Sequence, residues 1–232
     1  LGAYGDGAAP VLSGTGTGPD DAVLEVAAPG WTVQGLALTG AAGIGVRAVG
    51  EGTHLVGLDI ARVGIGVWVD GPGTGVSGVA VHDLHMVRDT PGGDDDYGAV
   101  GFVVSAPDVS ITASSCTHCR APSHDYGTDG GFVDVWRSGD RLRLLANTAT
   151  DVAGFLEIGG LGPGDHAGDI LVAGNTITDT GGALWVHGSG PYALTTGAIT
   201  WTDNTLTGAA GAVLLGGQVS WLSVTGSTFT GT

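Results

Sequence analysis

Asp134 and Glu157 are the residues of this chain best placed to do chemistry. Each is the only acid in a Gly-led apolar phrase, Gly131-Phe-Val-Asp-Val-Trp and Gly154-Phe-Leu-Glu-Ile. They lie 157 − 134 = 23 residues apart. If the phrases stack as strands of successive coils, the two carboxyls stand about 5 Å apart, the spacing of neighbouring strands. Carboxyls at about 5–5.5 Å form the pair used in retaining glycoside hydrolysis. Mutual repulsion raises the pKa of one member and prepares it to act as an acid. Strand alternation assigns Val133/Val135, Leu156/Ile158, Leu184/Val186 and Val213/Leu215 to the core. It leaves Phe132, Phe155, Trp136, Trp185 and His187 outward with the acids, as a substrate-binding surface of rings suited to sugar faces.

Long turns border this strand column. One runs from Arg88 to Tyr97 and carries Asp94, Asp95 and Asp96, oxygen ligands of the kind calcium takes. The next runs from Arg120 to Asp129, with His124, Asp125, Tyr126 and Asp129; His124 and Asp129 join the substrate-binding set. On the other edge lie the turns Gly159 to Gly168, with Asp165 and His166, and Gly188 to Gly197, with Tyr192. Insertions in repeat proteins gather on a binding face. Tyr97, Tyr126 and Tyr192 read as cleft walls. Arg137 follows Trp136 and reads as the sole arginine near the column, either a sugar ligand or a counter-charge for Asp134 or Asp140.

The elements that must position these groups recur with the phrases. Asn147-Thr-Ala-Thr, Asn175-Thr-Ile-Thr, Asn204-Thr-Leu-Thr and Ser227-Thr-Phe-Thr follow one another at 28, 29 and 23 residues. A period of 20 to 50 residues built only from strands and Gly-rich turns marks a β-solenoid. Its bend slot is expected to run Asp59, Asp83, Ser114, Asn147, Asn175, Asn204 and Ser227, small polar residues that satisfy a corner. The chain resembles the right-handed parallel β-helix of pectate-lyase-like, carbohydrate-active proteins, all-β in class, with about nine coils. One domain over residues 1–232 is expected. Its opening, Leu1-Gly-Ala-Tyr-Gly-Asp-Gly, reads as the middle of a strand-turn-strand, so an N-terminal cap is expected upstream. Similarity to β-helical β-xylosidases and related glycosidases implies Asp134 as nucleophile and Glu157 as acid/base, catalysis for which no cofactor is required.

Forty-six glycines serve the corners. Net charge is −16, and all seven basic residues are arginines. Such a chain repels phosphate backbones and anionic membranes, so nucleic-acid and membrane partners are excluded. The expected partner is a polysaccharide or oligosaccharide, met by a secreted or extracellular monomer. Cys116 and Cys119 read first as a core cysteine and a corner neighbour, with a local disulfide as the alternative. Other readings compete with hydrolysis. A calcium-assisted lyase or epimerase would need arginine as its base, since lysine is absent. A non-catalytic adhesive β-helix needs no chemistry. The outward Thr148/Thr150, Thr176/Thr178 and Thr205/Thr207 pairs also suit an ice-binding face.

Overall fold

The computed structural model describes residues 1–162, 164–187, 194–211 and 213–231. The chain is a right-handed parallel β-helix, the hand that parallel crossovers take. Each coil contributes one strand to each of three parallel sheets. The site sheet has eight strands, from Ala22–Val26 to Val213–Leu215, and includes Gly131–Trp136, Leu156–Gly159 and Leu184–Val186. The chain then turns into a third sheet, as at Arg143–Leu145, and on into a nine-stranded threonine sheet, as at Thr148–Val152. Aliphatic side chains from all three sheets fill the interior. The predicted inward set holds: Val133, Val135, Leu156, Ile158, Leu184 and Val186 are buried. Val213 and Leu215 keep that register but stand exposed in the last coil.

One corner is built the same way in the coils after the first. A left-handed residue (Gly78, Ala113, Ala146 or Gly174) precedes the bend slot. In five coils, at Ser114, Asn147, Asn175, Asn204 and Ser227, a polar ladder fills the slot, and the asparagines are buried. Asn147 Nδ2 donates to Ile111 O at 2.9 Å, and its backbone N–H donates to Asn175 Oδ1 at 2.8 Å. Asn175 and Asn204 repeat the pattern. The ladder starts later than the sequence reading places it. Asp59 pairs with Ala80 and Ala80 with Ser115, so Asp59 is one residue past the slot, which Leu58 and Val79 occupy in their coils. Asp83 lies at a different, left-handed corner, where its carboxylate lies between His82 and His118. In register, the threonine columns continue back through Ala80/His82, Asp59/Ala61 and Ala37/Thr39.

Two further expectations are corrected. Phe132 and Phe155 do not face outward; both are 0% exposed and stack on each other at 4.9 Å and 2°. The slot they share, held by Gly45, Gly66 and Gly101 in earlier coils, points inward throughout. A Cβ on Gly66 would lie 2.6 Å from Val81 Cγ1, and one on Gly101 2.6 Å from Cys116 Sγ. Consecutive amides of Phe132 and Val133 both donate to the next coil, which breaks alternation and turns both side chains in. Ala149, in register with Cys116 and Val81, leaves room for the ring. Second, Cys116 and Cys119 form a disulfide, with Cα atoms 6.0 Å apart. His118, left-handed between them, returns the chain so that both sulfurs enter the core. Closing so short a loop is worth roughly 2 kcal/mol on chain entropy. Reduction should lower the unfolding free energy by about that amount in denaturant titrations. A loss beyond about 4 kcal/mol would show that the bridge holds more than its own corner.

Candidate active site

Asp134 and Glu157 are direct register partners on adjacent site-sheet strands. Both are half-buried, between fully buried neighbours, so the carboxyls share the outer face about 5 Å apart. Burial, then the charges of Glu157 and Asp129, push the Asp134 carboxyl well above the usual carboxylate range. Glu157 Oε1 lies 2.6 Å from His187 Nε2. His187 stacks on Trp185 at 5.7 Å and 20°, and Trp185 is 50% exposed. Trp136 pairs with Gly159, where a Cβ would meet the indole at 2.6 Å and His187 Cδ2 at 3.3 Å. Glycine there lets the indole and the imidazole approach one another across it. Trp136 and Trp68 also pack on an outer apolar patch of Ile44, Ile65, Val100 and Val103.

The two long turns are antiparallel hairpins at the entry edge of this sheet, Met86–Arg88 with Tyr97–Gly98 and Ala121–Ser123 with Gly127–Asp129. Carboxylates lock them side by side. Asp96 is buried and accepts from Thr90 N at 2.7 Å, Ser123 Oγ at 2.8 Å and Asp125 N at 3.0 Å. Asp125 Oδ2 in return accepts from Asp95 N at 2.9 Å and Asp96 N at 3.2 Å. Burial would raise the Asp96 carboxyl, but the N–H donors of Thr90 and Asp125 hold it at about 2. Tyr126 Oη donates to Asp94 Oδ1 at 2.7 Å, and Arg88 pairs with Asp95. His124 is occupied by Asp89 at 2.6 Å, chiefly a hydrogen bond that raises its pKa. The expected ligand set is thus partly spent on the loops themselves. Among the described residues, two groups still bring ligand atoms within 4.8 Å of one another: Asp89, Asp96 and His124, and Asp95, Asp96 and Asp125.

The second hairpin delivers Asp129 to the pair. Burial first, then the charges of Glu157 and Asp96, raise its carboxyl to about 6, although Gly130 N–H donates to it. Three carboxyls therefore share one field. Removing Asp129's charge takes repulsion off Asp134, so Asp129→Asn should move the basic limb of the pH–rate profile to lower pH. It should also stabilise the fold. A carboxyl whose folded pKa exceeds its unfolded value loses stability as pH rises between the two, here from about 4 to about 6. The gain should therefore appear above pH 6 and vanish below pH 4 in thermal scans. An unmoved limb would separate Asp129 from the site.

Asp165 caps its own turn, its Oδ2 accepting from Leu161 N, whereas His166 ties the turn to the preceding coil by pairing with Asp140 at 2.5 Å. Tyr192 lies outside the described residues. Arg137 leaves the strand at φ 86°, exposed, and among the described residues pairs with neither Asp134 nor Asp140. The sequence reading missed Arg47. Register through Trp68 and Val103 puts it in the very slot of Asp134, three coils earlier. The alternation of Ile44-Gly-Val-Arg-Ala carried the signal, but only the coil register makes it a neighbour.

No protein-family profile matches the chain, and no curated protein matches it. Among solved structures it is similar to an alginate lyase from Paenibacillus sp. str. FPU-7, at 15% identity and a TM-score of 0.45, over 94% of this chain and 80% of that one. The fold is a parallel β-helix by its own three stacked parallel sheets. The chemistry rests on the site.

Proposed function

We propose that this β-helix is a secreted carbohydrate-active enzyme that hydrolyses glycosidic bonds of poly- or oligosaccharide with retention. The observation that carries the reading is the direct pairing of Asp134 with Glu157 on the outer face, beside the exposed Trp185. The raised Asp134 carboxyl exchanges the roles that resemblance implies. A carboxyl kept protonated donates a proton; it does not attack. Asp134 gives its proton to the glycosidic oxygen while the Glu157 carboxylate, oriented by His187, attacks the anomeric carbon and forms a glycosyl ester. Water, deprotonated by the Asp134 carboxylate, then displaces Glu157, and Asp134 regains its proton. The disulfide suits an oxidising compartment.

The Asp-rich hairpins support a second reading, elimination assisted by calcium at the carboxylate groups named above. A screen on neutral and acidic glycans, with and without chelator, separates the two. Chelator-resistant reducing ends, with anomeric configuration retained by NMR, support hydrolysis. Chelator-sensitive unsaturated ends support the lyase. If no glycan turns over, the enzyme reading falls and an adhesive β-helix takes its place.

A further inference from the structure

The slot that holds Asp134 and Glu157 continues as one column along the solenoid: Arg47, Trp68, Val103, Asp134, Glu157 and Trp185. Trp68 lies two strand spacings before Asp134, about 10 Å, and Trp185 one after Glu157. The Trp68 end is a built constellation. Trp68 Nε1 donates to Asp70 Oδ1 at 3.1 Å, and Arg47 Nε donates to Asp70 Oδ2 at 3.0 Å. The guanidinium lies 5.9 Å from the Trp68 ring. Asp70 thus fixes both groups, and all three are half-buried. Only Nε of Arg47 is engaged; among the described residues its two Nη groups carry no hydrogen bond. Between this constellation and the acids, Val103 is covered, with Trp68 and Trp136 packed on the same patch. Trp68 and Trp136 therefore border one apolar patch between Arg47 and the carboxyl pair.

We propose that Trp68, Arg47 and Asp70 form a distal saccharide subsite, with the glycan running along the solenoid axis across several coils. A sugar residue would lay its apolar face on the Trp68 indole. The free Nη donors would take its hydroxyl or carboxylate oxygens, in the forked geometry that guanidinium offers. Asp70 presets both side chains, so little rotamer freedom is lost on binding.

This rests on the proposed action on glycans, and the test separates the two. On an oligosaccharide series of one cleavable glycan, the ratio of kcat/KM for long over short members is read for the wild type, Trp68→Ala, Trp68→Phe and Arg47→Gln. Trp68→Ala should cut the long-over-short ratio up to about tenfold, and Trp68→Phe should restore most of it. Arg47→Gln should reduce the ratio as well. If the wild type cleaves glycans and Trp68→Ala keeps its ratio, the subsite is overturned while the hydrolase reading stands. If the wild type cleaves nothing, that reading falls, and affinity electrophoresis in soluble polysaccharide then tests the subsite alone. Retardation that Trp68→Ala abolishes supports it, and equal mobility of both proteins ends it.

Discussion

Glu157→Gln should lower kcat/KM on a cleaved glycan by about 10³-fold or more, and Asp134→Asn by a similar factor, the scale of a lost acid or base. A thousandfold is about 4 kcal/mol of transition-state stabilisation. A substrate with a good leaving group tells the roles apart. Its departure needs no proton, so Asp134→Asn should keep most of the rate of the first step, whereas Glu157→Gln should not. The opposite outcome would return Asp134 to the role of nucleophile. Stability should move against activity. The folded state disfavours the ionised Asp134, so stability is lost as pH rises above the unfolded carboxyl pKa of about 4. Asp134→Asn should therefore melt higher than the wild type at neutral pH, and the difference should close as pH falls through that range.

The second large effect lies in the buried ladder. Asn175→Ala should cost about 3–5 kcal/mol. Its amide donates to Leu144 O at 3.0 Å and Asn204 Oδ1 at 2.8 Å, and its Oδ1 accepts from the backbone N–H and the Nδ2 of Asn147. After truncation Asn147 Nδ2 keeps Ile111 O, and Asn204 Oδ1 keeps the Asn175 N–H. Leu144 O and the Asn147 N–H are left without these side-chain partners in a corner closed to water, at roughly 1–3 kcal/mol for each. Against a total stability of about 5–15 kcal/mol this is a large share. Thr178→Val, on the neighbouring outward column, should change stability by no more than about 0.5 kcal/mol. Urea midpoints at constant slope would measure both. A loss under about 1 kcal/mol for Asn175→Ala would mean that water replaces the ladder.

How far the sequence could be read depended on whether a feature was local. Period-2 alternation and a spacing of one coil are enough to put Asp134 beside Glu157, and the recurring Asn-Thr-x-Thr phrase is enough for a parallel β-solenoid with a polar corner. Alternation failed at Phe132 and Phe155, because two consecutive amides turn toward the same neighbouring coil. Asp59 was misplaced because in early coils the corner is apolar, Leu58 and Val79, and offers no polar phrase to align.

By itself, then, the chain determined its architecture, its aliphatic core rows and the pairing of the two acids, since all three follow from short-range periodicity. Only the tertiary structure decided that burial and two neighbouring carboxyls raise Asp134, which ligand atoms the hairpins spend on each other, and that Arg47 and Trp68 share the acids' column. Those outcomes depend on desolvation and on register between segments up to about half of the chain apart. Neither quantity exists until the coils have stacked.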